Sequence, residues 1–313
     1  MDTAAYMSPI AFSVVIAVYN GERTIRRAIE SVIAQTLPPR EIIVVDDGST
    51  DETYRIVSRY GPPVKVLRQP NQGVAAARNA GVKAAQGEWV AFLDADDYYY
   101  PDRLALTAEI IQRHPEVDFV TSDFDYCDQE GNLLRRSLES TDLGRRLLAQ
   151  EGMFAFLKAT DFGDFIENHF GDTHTLTLPR RTFLELGGYP QEFAVCEDVH
   201  LLIRLCLRSQ VAGVIKQPLA AYVIHPHSAT RSDPLRAQIQ TVAAWCSLKP
   251  LIAKAPPQIR AGFRRGLRRA RFNLALARLR AKKRWGAFQA VLPLVYEDPS
   301  WASIKSIASI LKG

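Results

Sequence analysis

Three carboxylates, Asp94, Asp96 and Asp97, surround Ala95 directly after the apolar run Trp89 to Leu93. That run has the length and character of a buried parallel strand. Carboxylates at the C-terminal end of such a strand stand where open α/β sheets bind their ligands. Asp94 and Asp96 are two apart, so in extended geometry both side chains leave the same side of the chain. Like charges so placed are costly unless a cation neutralises one of them. The chemistry indicated is capture of a hard divalent cation, Mn²⁺ or Mg²⁺, which favours oxygen ligands and shares them with substrate phosphates. Taken alone, a D-x-D is more often a solvated acidic turn. The elements around it decide between the two.

Those elements alternate. FSVVIAV (12–18) reads as a first buried strand. A helix is expected over about 22–35, with Ile25, Ala28, Ile29, Val32 and Ile33 at helical spacing. EIIVV (41–45) is a second strand ending in Asp46-Asp47-Gly48, and Ser49 with Glu52 fits a capping box opening a helix to about Tyr60. VKVLR (64–68), an alanine-rich helix after Gly73, the central strand, a helix from Pro101-Asp102 to about His114 and VDFVTSD (117–123) continue the pattern. The alternation predicts an α/β fold with a mainly parallel sheet flanked by helices. It gathers the strand-end loops on one edge, which then carries Tyr19, Glu22, Asp46, Asp47, Asp94 and Asp96. The first loop, YNGERT, has one glycine, so the dinucleotide fingerprint G-x-G-x-x-G is absent, as is the Walker pattern.

Residues 124–175 show no clean period and read as a long excursion over the sheet, a usual place for lids or binding loops. THTLTLP then gives a strand and a short helix ended by Gly187-Gly188. The helical segment 194–209 begins with Glu197 and Asp198, where a helix N-terminus favours negative charge. A strand around 220–228 ends in His225 and His227.

With 313 residues, 47% of them hydrophobic, the chain suffices for a large domain plus an appendage. Its net charge of +5 is unevenly spread: residues 1–233 hold 23 basic and 32 acidic residues, whereas 234–313 hold 16 basic residues against Glu297 and Asp298. The expected organisation is a body over 1–235 and a basic helical region over 236–313. Four scattered cysteines without a C-x-x-C suit free thiols in a reducing cytoplasm. The N-terminus reads as no signal peptide, and no apolar run is long enough for a transmembrane helix.

Five blocks together resemble the family-2 glycosyltransferases of the GT-A fold: SVVIAVYNGERTI, QTLPPREIIVVDDGSTDET, NQGVAAARNAGVKAAQGEWVAFLDADD, the pair GGYPQEF and CEDVHLLIRL, and YVIHPHSAT. They occur in family order over roughly residues 12–230. Ala17 departs from the family's small polar residue, and 124–175 has no counterpart. The resemblance implies a Rossmann-like GT-A sheet and metal-dependent, inverting transfer of a sugar from a nucleoside diphosphate, most simply UDP, to a hydroxyl acceptor in surface polysaccharide or glycolipid assembly. It implies Asp96 and His225 as metal ligands, with a surface histidine the alternative for His225. Val18, Tyr19, Glu22, Asp47, Arg78, Asp94 and Ala95 fall at donor-binding positions. Glu22 is equally a first-turn helix acid, and Arg78 is alternatively a solvated helix charge. Asp198 falls at the general-base position, with Glu197 as its competitor. The Q-x-x-R-W signature of processive synthases is absent, which favours addition of single sugars. A non-catalytic nucleotide-sugar-binding protein and a nucleotidyltransferase are the competing classes. The first would not need both the acids and the base, and the second lacks its phosphate loop.

In the basic region, Phe263, Leu267, Ala270, Leu274 and Ala277 make an apolar helical stripe, with Arg264, Arg265, Arg268, Arg269 and Arg271 largely off it. A second helix carries Trp285, Phe288 and Val291, and a third places Trp301, Ile304, Ala308 and Leu311 on one side. These helices either pack on the body with solvated arginines or rest on an anionic membrane surface, bringing a cytoplasmic enzyme to a lipid-linked acceptor. No nucleic-acid motif accompanies the arginines.

Overall fold

The structure is a computed structural model, described here for residues 10–168, 170, 172–225 and 229–312. The chain divides into two compact units. The first comprises the described parts of Met1–Ala159, Phe170–Gln191 and Arg208–Ile224; the second comprises Thr160–His169, Glu192–Leu207 and His225–Gly313.

The first unit holds the sheet. β1 (Phe12–Val18) is followed by α1 (Ile25–Ile33), β2 (Glu41–Asp46), α2 (Thr53–Val57), β3 (Val64–Arg68), α3 (Val74–Ala84) and β4 (Trp89–Asp94). Every residue of β1 and β2 is buried, which is why these strands read as unbroken apolar runs. β3, β2, β1 and β4 lie side by side and parallel. Of the predicted apolar positions in α1, Ile25, Ala28, Ile29 and Val32 are buried, while Ile33 faces outward. Gly81 lets α3 lie close on β1: a Cβ there would stand 2.4 Å from Val15 Cγ1.

β5 (Tyr98–Tyr99), α4 (Arg103–Arg113), β6 (Phe119–Cys127), β7 (Leu133–Arg136), α5 (Asp142–Leu148) and β8 (Phe154–Lys158) follow. The excursion after residue 124 therefore feeds the sheet, with β7 antiparallel to β6 and β8 antiparallel to the later β10. α6 (Phe162–Glu167) belongs to the second unit; β9 (Thr177–Pro179) and α7 (Arg180–Glu185) return to the first, α8 (Glu197–Arg208) belongs to the second but for its last residue, and β10 (Val211–Val223) lies in the first. The order β3-β2-β1-β4-β9-β6-β10-β5 makes a sheet that is parallel through its first four strands and mixed beyond, because β9 runs antiparallel to both β4 and β6. β10 begins well before the strand expected around 220 and runs parallel to β6, with register shifts on either side of Pro218.

The expected capping box at Ser49 does not form. α2 begins at Thr53, and the Ser49 hydroxyl accepts the Asn20 N–H at 2.9 Å instead. That bond ties the loop after β1 to the loop after β2, so cross-loop bonding outcompetes the local cap.

The second unit is helical. α9 (Ala229–Ser232), α10 (Pro234–Ser247), α11 (Lys249–Ile252), α12 (Pro257–Arg280), α13 (Arg284–Val291), α14 (Leu294–Glu297) and α15 (Trp301–Lys312) follow β10. The stripe expected on α12 is buried at Phe263, Leu267, Ala270 and Leu274. Its arginines are not uniformly solvated: Arg265 and Arg269 pair with carboxylates of α6, Arg268 with Asp298 and Arg271 with Glu297. On α15 the expected apolar side is turned outward at Trp301, Ile304 and Ala308, while Ser303 and Ile310 are buried; the side chain of Leu311 lies outside the described residues. No described helix is long and apolar enough to cross a membrane.

Candidate active site

Strand register builds the site edge. Val18 pairs with Asp46 across β1–β2, and Ala17 with Asp94 across β1–β4. The last residues of the two neighbouring strands thus flank the end of β1, on the carboxyl edge where ligands of open sheets bind.

On one flank the acids brace loops. Asp46, fully buried, accepts the Ser49 N–H at 3.0 Å and pairs with Arg68 at 3.1 Å. Asp47, 2% exposed, accepts from the Gln69 side chain and from the Gln72 and Gly73 N–H groups, at 2.7, 3.0 and 2.8 Å. Three donors leave little of its carboxylate for a further partner. Gly48 turns between them at φ +77°, where a Cβ would also stand 2.8 Å from the Asn71 nitrogen. Glu22 accepts the Glu52 N–H, and its own N–H donates to Asp51. Its carboxylate therefore serves this loop clasp. Tyr19, 50% exposed, stands open beside it.

On the other flank is the acidic turn. The Asp97 N–H donates to the Asp94 carbonyl at 3.1 Å, closing a turn over Ala95 and Asp96. Asp94 receives the guanidinium of Arg78, which is 5% exposed and lies over the Tyr189 ring at 5.1 Å. Arg78 is therefore a buried partner of the turn, and its solvated-charge alternative falls. Arg27 reaches from α1 to the Asp96 carbonyl at 2.8 Å. Ala95 and Asp96 are half-buried, so the outer face of the turn is accessible.

Asp97 points inward. It accepts the Val223 N–H at 2.8 Å, and its other oxygen lies 3.4 Å from His174 Nδ1; both side chains are 1% exposed. Burial, reinforced by the charges of Asp96 and Asp94, holds the Asp97 carboxyl well above the ordinary carboxylate range. Burial likewise presses His174 down to about 4, against the pull of Asp94. Both groups are driven to their uncharged forms. His174 packs edge-on to Phe124, and the backbone beside it is fixed by the buried Arg103, which donates to the Thr175 carbonyl. Sequence reasoning gave neither Asp97 nor His174 a role. Asp97 was visible only as the last acid of the run, and His174 lies in the stretch without a period.

Asp94, Asp97 and His174 bring ligand-type atoms within 4.8 Å of one another. Among the described residues His174 Nε2 has no hydrogen-bond partner. The donor chemistry of the turn fits a divalent cation. Of these three, Asp94 is half-buried while Asp97 and His174 are closed off, and the neighbouring Asp96 is half-buried on the outer face of the turn. His225 is half-buried at the start of the second unit, and His227 lies outside the described residues. In that unit Asp198 occupies the first turn of α8, where its carboxylate accepts the Val199 N–H at 2.7 Å; Glu197 is 7% exposed.

The profile of the family described as glycosyl transferase family 2 matches residues 13–185, more than half of the chain. The chain belongs to that family. An uncharacterized glycosyltransferase of Rickettsia prowazekii is 39% identical over 202 residues, covering 62% of this chain and 58% of the relative. The chain is also 24% identical over 217 residues to an uncharacterized glycosyltransferase of Haemophilus influenzae, covering 68% of each. It spans between 21% and 61% of the length of four Rickettsia relatives. Among solved structures, S. aureus TarS 1–349 in complex with UDP-GlcNAc superposes with a TM-score of 0.68 at 18% identity, covering 97% of this chain and 91% of that chain. At that identity the likeness establishes the fold, GT-A-like with C-terminal helices.

Proposed function

We propose that this family-2 glycosyltransferase moves a single sugar from a nucleoside-diphosphate donor to a hydroxyl acceptor, with inversion, in assembly of a surface polysaccharide or glycolipid. The observation that carries this reading is the acidic turn at the end of β4, with Asp94 braced by buried Arg78 and Asp96 on its accessible face. UDP is the donor nucleotide we favour, supported by the UDP-GlcNAc held by TarS.

Val18, Tyr19, Glu22 and Asp47 line the nucleotide side, with Tyr19 the open ring for a base and Asp47 holding the loop that shapes its edge. Arg78, Asp94 and Ala95 serve the ribose and diphosphate side. Asp96 would hold the cation, and His225 is the second ligand that the family pattern offers. A bound Mn²⁺ or Mg²⁺ offsets charge developing on the departing diphosphate. Asp198 takes the proton of the acceptor hydroxyl. The acceptor oxygen forms its bond to the anomeric carbon while the bond to the diphosphate oxygen breaks and its electrons leave with the nucleotide. We place the enzyme on the cytoplasmic face, held to anionic lipid by its basic helices; the outward Trp301 and Ile304 with Lys305 on α15 support this.

The test is product formation from a panel of UDP-, GDP- and dTDP-sugars with a lipid-linked acceptor pool. The reading predicts metal-dependent transfer with one nucleotide class and a product of inverted anomeric configuration. Retention of configuration, or turnover unaffected by chelator, would contradict it.

A further inference from the structure

The helices of the second unit form an open cavity of about 520 Å³ lined by α11, α12 and α14. That volume is within the range of small-ligand sites, about 300–1,000 Å³. Its floor is apolar: Ile252, Phe263 and Leu267 line it and are each no more than 6% exposed. Arg260 and Arg264 stand at its mouth, both exposed and one turn apart on α12.

These two arginines differ from the others nearby. Arg265, Arg268, Arg269 and Arg271 each take a carboxylate. Among the described residues, Arg260 and Arg264 have no such partner. Like charges at this spacing repel, and an anion seated between them would relieve that repulsion. Glu297 also reaches the cavity, but its two oxygens are held by Arg271 and Lys249. Although burial alone would raise it, those bonds keep its carboxyl below the usual range, so it is a neutralised member of the wall.

We propose that this cavity is a binding site for a membrane lipid bearing a phosphate monoester, with the phosphate on Arg260 and Arg264 and the first part of the hydrocarbon chain on Phe263, Leu267 and Ile252. Guanidinium groups match phosphate oxygens in forked geometry. A free anion would leave the apolar floor wet, and an uncharged chain would leave the arginine pair uncompensated. Tyr296, 73% exposed on the same wall, is the kind of aromatic residue that sits at headgroup level. The inference rests on the membrane part of the proposed function. It goes further by naming one site and one headgroup chemistry.

The test measures binding of monomeric dioctanoyl phosphatidic acid, dioctanoyl phosphatidylcholine and inorganic phosphate to the full chain by calorimetry. Three proteins are compared: wild type, the double variant Arg260→Glu with Arg264→Glu, and Ala253→Trp, which fills the exposed mouth without changing charge. Phosphatidic acid should bind wild type and weaken by about tenfold or more in both variants. Phosphatidylcholine and inorganic phosphate should bind wild type weakly by comparison. Full binding by Ala253→Trp, equal binding of inorganic phosphate, or no binding of phosphatidic acid would each overturn the proposal. UDP binding measured on the same preparations reports the donor site separately. Its loss in wild type would sink the transferase reading while leaving the lipid result to stand or fall by itself.

Discussion

The guanidinium of Arg78, 5% exposed, rests on the carboxylate of Asp94, and the two join α3 to the end of β4. The pair fixes the first acid of the turn from below and leaves Asp96 on the accessible face. Replacing Arg78 by Ala removes one partner of a nearly buried pair, the change that costs most in such arrangements. The account predicts a fall in kcat/KM for the donor of about a hundredfold, or about 2.7 kcal/mol. Steady-state kinetics with varied donor check it. A variant within a factor of about two of wild type would leave the pair without a donor-site role.

Two histidines give the fold a pH dependence. His174 and His200 are each pressed by burial from 6.5 to about 4, His200 with added repulsion from Arg204. A lowered histidine pKa means that the unfolded chain takes the proton first. Stability is therefore complete above about pH 6.5 and declines as pH falls toward 4. For His174 the full effect is about 3 kcal/mol. Urea unfolding of the metal-free protein at pH 7.5, 6, 5 and 4.5 should show the decline, with a shallower slope in His174→Gln. Identical slopes would mean that His174 is protonated as readily in the folded chain as in the unfolded one.

Backbones meet in the second unit at Gly163 and Gly262. A Cβ built on Gly262 would stand 1.8 Å from the Gly163 carbonyl oxygen, with no flexible side chain able to yield. Gly262→Val is predicted to cost about 3 kcal/mol, seen as a lowered urea midpoint. Gly152→Ala is the control for a glycine with nothing near its Cβ, although its φ of +77° carries a smaller backbone cost.

Much of the sheet was legible because its first strands are buried on both faces, so each appears in the sequence as an unbroken apolar run. β7 and β8 were not, since four- and five-residue edge strands leave little pattern and β8 finds its partner only when β10 returns beside it. The acids of the site could be read by type and spacing. Which of them face the ligand could not, because Asp47 is claimed by donors from the loop after β3, and Asp97 is turned inward onto the Val223 N–H with His174 3.4 Å away. The arginines of α12 read as a free basic face. Their partners Asp164, Glu167, Glu297 and Asp298 lie far away in sequence, and only the fold brings them in.

The base assignment separates by substitution. Asp198→Asn should lower kcat by about 10²–10⁴-fold with donor binding intact, whereas Glu197→Gln should keep most of the turnover. The reverse pattern in single-turnover kinetics would transfer the role to Glu197.

The most direct test of the central claim, that the turn after β4 is a metal-dependent nucleotide-sugar site, is thermal unfolding with Mn²⁺ and each of UDP, GDP, CDP and dTDP, repeated on Asp96→Ala. Ligand at a hundred times its Kd stabilises the folded state by about 2.7 kcal/mol, a readily measured shift. The account predicts a Mn²⁺-dependent rise with one nucleotide, UDP, that disappears in Asp96→Ala. No rise with any nucleotide, or a rise that is the same without metal and in the variant, would contradict it.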